Sequence, residues 1–151
     1  ITTKEIKLLS DGNALRPLID VIDMIKAFYW ADGYNSQNFL CVNVGNKKMN
    51  YRIVELAYLV KKYIKMAKIS INEKNIDNRS YKVDFSKYKR LFPGYMKMKN
   101  AEYSITNLIK MIRRAKFKDK NFRSGKFMRL VSLKKQISEN KLSRNLRFLN
   151  D

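Results

Sequence analysis

Between Lys110 and Lys135 the chain reads KMIRRAKFKDKNFRSGKFMRLVSLKK, with eleven Lys or Arg against one acid, Asp119. Lys110, Arg113, Arg114, Lys116, Lys118, Lys120, Arg123, Lys126 and Arg129 are candidates for contacts to phosphate. A cation set beside a phosphate releases a condensed counterion, which makes affinity depend on salt. Arginine adds a planar fork that can grip phosphate through two hydrogen bonds, or read guanine in a major groove. Phe117, Phe122 and Phe127 are spaced five apart through the stretch. Phe117 and Phe122 are candidates for stacking on unpaired bases. Their other role is to plug the core beneath the connector, the commoner fate of such rings.

A second stretch, SKYKRLFPGYMKMK, sets Lys87, Lys89, Arg90, Lys97 and Lys99 among Tyr88, Phe92 and Tyr95. Tyr88 and Tyr95 could stack on bases while the lysines neutralise phosphate. The same alternation suits an edge strand and turn whose solvated lysines discourage pairing. Both readings stay open at this point.

Catalytic chemistry is poorly supplied. The chain has no His and one Cys, which removes Cys/His zinc sites and the triads built on histidine. Cys41, in the apolar run FLCVNV, reads as a buried, unreactive thiol. Asp20 and Asp23 would share one face of a helix and could hold Mg²⁺. Lys26, three residues further on, makes an ion-paired strip the simpler reading. Asp84, Glu102 and Glu55 would converge only through folding. The nine tyrosines lack the acid–base companions that a strand-transfer nucleophile uses. VGNKK and FPGY have neither the glycine spacing nor the terminal Lys-Ser/Thr of a phosphate-binding loop. The expectation is a non-enzymatic protein with no catalytic residue, no metal and no cofactor.

The whole composition points the same way. Thirty-three basic against thirteen acidic residues give a net charge of +20, while 45% hydrophobic and 12% aromatic content is that of a chain that folds. The surplus is uneven: net +5 over residues 1–75 and +15 over 76–151. Self-repulsion on this scale is relieved by a bound polyanion, nucleic acid first and an anionic membrane surface second. No apolar run is long enough for a transmembrane segment. ITTKEIKLL does not have the form of a signal peptide, and the cysteine usage suits a reducing, intracellular setting, cytoplasm or nucleus. Ile1 at the start suggests a processed chain or a piece of a longer one.

The elements that must carry these residues read as helices. Residues 13–31 show two apolar strips at three-four spacing, expected to form a centrally buried helix capped by Asn13. Residues 51–68 make a second helix, with Lys61, Lys62 and Lys65 toward its end. Residues 101–116 make a third, capped by Asn100. A fourth would start at Ser124 with Leu130, Leu133 and Ile137 inward, and Leu142, Leu146 and Leu149 would form a final stripe. FLCVNV and YKVDF are the candidate strands. The expected fold is mainly α, a compact bundle of four or five helices with a small two-stranded β element. The chain is expected to be a single basic domain over 1–151, with an internal boundary near 69–80.

The helix–connector–helix around Phe117–Ser124 resembles helix-turn-helix DNA readers, with a longer connector than their three or four residues. The helix after it would be the recognition element. In composition, though not in any motif, the chain is similar to small basic domains of viruses and mobile elements. The functional expectation is a nucleic-acid-binding module, DNA slightly ahead of RNA. The alternatives are a protein-interaction or assembly domain, with apolar surface for a partner and basic surface for an acidic one, or an accessory domain of a larger nucleic-acid enzyme.

Overall fold

Pro17 decides how the chain begins. It fixes φ, has no N–H to donate, and biases Arg16 before it away from helix. The expected helix over 13–31 therefore splits in the computed structural model, which describes residues 1–35, 39–124 and 127–149. After strand β1 (Glu5–Leu8) comes β2 (Leu15–Pro17), and only then helix α1 (Val21–Asp32). The cap of α1 is Asp20, not Asn13: its Oδ1 accepts the Ile22 N–H at 2.9 Å.

Strand β3 (Asn50–Arg52) pairs antiparallel with β2 and leads directly into α2 (Ile53–Tyr63). β4 (Lys68–Ile71) pairs in parallel with β1, Glu5 opposite Lys68. Helices α3 (Ser86–Leu91), α4 (Ala101–Arg114) and α5 (Arg129–Ser138) follow. The protein is mainly α, with five helices among the described residues and two small two-stranded sheets. It folds as two compact units, one running to Lys116 and one from Phe117 onward; the polar stretch 69–80 lies inside the first.

Neither expected strand forms. Val42, Val44 and Val83 lean on the core, and Phe85 enters it. The YKVDF segment is held by a side chain instead of a ladder: Asn50 Oδ1 accepts the Val83 N–H at 3.0 Å, and Asn50 Nδ2 donates to Val83 O at 3.2 Å. Cys41 is exposed, which corrects the buried thiol expected from its apolar neighbours.

The core of the first unit is aromatic. Phe85, Tyr88, Phe92 and Tyr95, at helical spacing, close around Ala27. Tyr88 lies stacked on Phe92 with centroids 4.8 Å apart, and Trp30 meets both rings edge-on. Tyr88 is 0% exposed, and its hydroxyl has no hydrogen-bond partner among the described residues. Burial, with the Asp23 charge nearby, pushes this phenol up from 10.0 to about 12. The native state therefore holds a proton that the unfolded chain releases near pH 10. This contribution to stability is complete below pH 10 and is lost as pH rises toward about 12. Denaturant unfolding in that window should show a smaller alkaline loss for Tyr88→Phe than for the parent.

Helix α1 turns its polar side in. Asp20 and Asp23 are buried, the latter 1% exposed, and Ala27 lies on the same face. Ser104 Oγ donates to Asp20 Oδ2 and the Lys99 N–H donates to Asp23 Oδ2, each at 2.5 Å. Val21, Ile22, Ile25, Phe28 and Tyr29 stand outward, Phe28 67% and Tyr29 77% exposed. The centrally buried helix expected from its apolar circumference is thus corrected. Two carboxylates that accept from neighbouring segments hold the inner face, and the small Ala27 fits beside the rings.

The second unit has little interior. Phe117 meets Phe122 and Phe127 edge-on at 6.5 and 5.3 Å between centroids. The expected stripe of Leu142, Leu146 and Leu149 is not helical. Leu142 is buried and bridges Phe148 antiparallel, Leu146 takes a positive φ of 57°, and Leu149 is exposed. No helix among the described residues is long and apolar enough to cross a membrane.

Candidate nucleic-acid interface

The basic stretch begins on α4. Asn100 Oδ1 accepts the Tyr103 N–H at 2.9 Å and starts the helix as expected. Ile109 is buried, with Ile105 and Ile112 partly so, while Leu108, expected inward, is exposed. That packing leaves Lys110, Arg113 and Arg114 exposed over the last two turns. Cations at a helix C-terminus also meet its negative dipole end. Lys116 follows in the left-handed conformation, φ 49°, with its N–H on Arg113 O at 3.0 Å. Glycine is the usual occupant of such a helix-ending position. The chain keeps a cation there instead.

In the second unit Lys118, Lys120 and Arg123 are exposed. Asp119, the one acid of the stretch, accepts the Asn121 N–H at 2.7 Å. Ser124 does not cap a helix: its N–H and Oγ both return to Asn121 O, closing a turn. The next helix starts at Arg129, after Met128, so the connector runs 115–128. This is well beyond the expected Phe117–Ser124 and further from a helix-turn-helix. Arg129 is exposed at the first turn of α5; Leu133 and Ile137 are partly buried, whereas Leu130 is exposed. Lys126 lies outside the described residues. Phe117 and Phe122 are half-buried against each other, and the Arg123 guanidinium lies 5.9 Å from the Phe122 centroid.

The second basic stretch separates cleanly by helical face. Lys87, Lys89, Arg90 and Lys97 are exposed, while Tyr88 and Tyr95 are buried. Base stacking by Tyr88 and Tyr95 is corrected, because rings enclosed in the core have no free face. Lys87 Nζ donates to Cys41 O at 2.9 Å. Lys99 is half-buried, with its ammonium 4.4 Å from the Tyr103 ring centroid.

The acids are engaged elsewhere. Asp77 joins Arg16 at 2.7 Å and Arg79 at 2.9 Å, and the hydrogen bonds from Arg79 hold its carboxyl down at about 2. Glu102 joins Lys62 at 2.7 Å, a contact that lowers the carboxyl and raises the ammonium pKa. Glu139 takes Lys135 and Lys141. Asp84 accepts from Ser86, which lowers its pKa, and the Arg90 charge adds to the effect. Among the described residues, no carboxylate lies within 4.0 Å of any candidate phosphate-binding cation. Nor do three His, Cys, Asp or Glu converge among them as a metal site would require.

One grouping escaped the sequence reading. A cavity of about 230 Å³ in the first unit is lined by Lys47 and Lys48, together with Lys89, Tyr95, Met96, Met98 and the amides Asn46 and Asn100. The adjacent lysines after the Gly45-Asn46 turn were the available signal, but their partner on α3 is forty residues away. Compared with known proteins, the chain matches no family model, no curated protein and no solved structure.

Proposed function

We propose that the chain is a non-enzymatic module that binds nucleic acid by neutralising phosphates, working inside the cell. One observation carries this reading: eleven basic residues crowd into 110–135 beside a single acid, and their described members are exposed with no carboxylate at hand except for Lys135, which meets Glu139 at 3.6 Å. Unbalanced cations on rigid helix ends raise the local potential and draw in a phosphate polymer. Base selectivity is modest. DNA stays slightly ahead of RNA because Arg129 occupies a first helical turn, where helical readers usually touch bases.

The test is fluorescence anisotropy with a duplex and a single strand over a range of salt. With about six phosphates neutralised, log K should fall against log salt with a slope near −5 for duplex. A slope near zero overturns the reading.

The exposed apolar face of α1 favours a second reading, a protein-interaction or assembly domain. Phe28 and Tyr29 stand in solvent beside Ile25, and contiguous apolar patches commonly mark association sites. Size exclusion after nuclease treatment separates the two. A protein free of 260 nm absorbance that self-associates, and is returned to monomer by Phe28→Asp, supports assembly.

A further inference from the structure

We infer that the cavity between the Asn46–Met49 turn, α3 and the start of α4 is a seat for a phosphate monoester of a nucleotide, either free or at the 5′ end of a strand. The choice of a nucleotide rests on the nucleic-acid reading above; the choice of a phosphate rests on the cavity itself.

Three lysines line it, Lys47, Lys48 and Lys89, with Met96 and Met98 beside them and no carboxylate. Among the described residues none of the three is ion-paired. The neutral groups are arranged to the same end. Asn46 Oδ1 is occupied by the Lys48 N–H at 3.0 Å, and Asn100 Oδ1 by the Tyr103 N–H at 2.9 Å. Tyr95 Oη accepts the Lys47 N–H at 3.2 Å. Each of these three polar side chains thus already accepts from the backbone. They keep hydrogen to offer: two amide NH₂ groups and one phenol O–H. A concavity that offers three lysines and these donors, with Met96 and Met98 as its apolar part and no carboxylate, suits an oxyanion with several acceptor oxygens and more than one charge. A terminal phosphate has both; a diester within a strand carries a single charge and runs past on either side. At about 230 Å³ the space is below the roughly 300 Å³ at which pockets begin to engulf whole drug-sized ligands, so it fits a group and not a complete nucleotide.

The experiment uses the full chain, titrated with a ten-nucleotide single strand bearing either a 5′-phosphate or a 5′-hydroxyl, and separately with adenosine monophosphate and adenosine. The same titrations are run on Lys47→Gln/Lys48→Gln/Lys89→Gln, whose three positions are exposed and outside the core. The phosphate should improve affinity about tenfold, the scale of one or two charge-assisted hydrogen bonds, and the triple variant should erase that gain. A gain seen with strands identifies a strand end as the source; a gain confined to adenosine monophosphate identifies a free nucleotide. No gain in either pair, or a gain that survives the triple variant, overturns the inference. Loss of all binding by the 5′-hydroxyl strand, with the nucleotide gain intact, instead counts against the proposed function and leaves the cavity assignment standing.

Discussion

Arg113→Glu/Arg114→Glu/Arg123→Glu is expected to weaken nucleic-acid binding on the order of a hundredfold at low salt, and to reduce the magnitude of the log K against log salt slope by about three. All three arginines are exposed, and among the described residues none is held by a carboxylate. Each reversal removes one attraction to phosphate and adds one repulsion. The control is Lys61→Glu/Lys62→Glu/Lys65→Glu on and just beyond α2, which changes net charge by the same amount. Lys62 already spends its charge on Glu102 at 2.7 Å. The control should lose far less, and circular dichroism should confirm that both variants stay folded. Equal losses would mean that a diffuse field does the binding and that 110–135 is not the site.

Tyr88→Ala is expected to destabilise the first unit by about 3–5 kcal/mol, the usual result of emptying a buried aromatic site. A domain commonly has only about 5–15 kcal/mol in total, so much of the unit would be unfolded at moderate temperature. The ring stacks on Phe92 and meets Trp30 and Tyr95 edge-on, so its removal opens the middle of the aromatic layer. Tyr88→Phe keeps the ring. Since Oη has no partner to lose, that variant should stay within about 1 kcal/mol of the parent. Thermal denaturation of both proteins separates a packing role for Tyr88 from a hydrogen-bonding one. A large loss in the Phe variant would identify the hydroxyl as the contributing group.

Some of this was legible in the chain. α2 and α4 follow from their three-four spacing, and the Asn100 cap from a side chain suited to accept an orphan N–H. Periodicity was a weaker guide on α1. It reveals that two faces differ without saying which one a neighbour will cover. Asp20 and Asp23 settled that through Ser104 and the Lys99 N–H, about eighty residues away in the chain. The Tyr–Lys alternation at 87–99 read equally as a base-stacking surface or as an edge strand and turn, and a helix was not foreseen. The short α3 overturns both by sending Tyr88 inward and the lysines out, with Tyr95 buried in the turn that follows. Ser124 looked like a cap because serine accepts readily, yet the same hydroxyl can donate to a nearby carbonyl, and Asn121 O takes it. Lys47 and Lys48 gained meaning only when folding brought Lys89 beside them.

The parallel pairing of β1 with β4 bears on how the protein is made. Lys68, the partner of Glu5, lies about sixty residues further along the chain, and a parallel pair forms only after the intervening chain has looped back. The first strand must therefore wait while the segment containing α1 and α2 is synthesised. Pairings this remote in sequence are among the slow steps of folding. Until then β1 stays unpaired, open to chaperones and to neighbouring nascent chains.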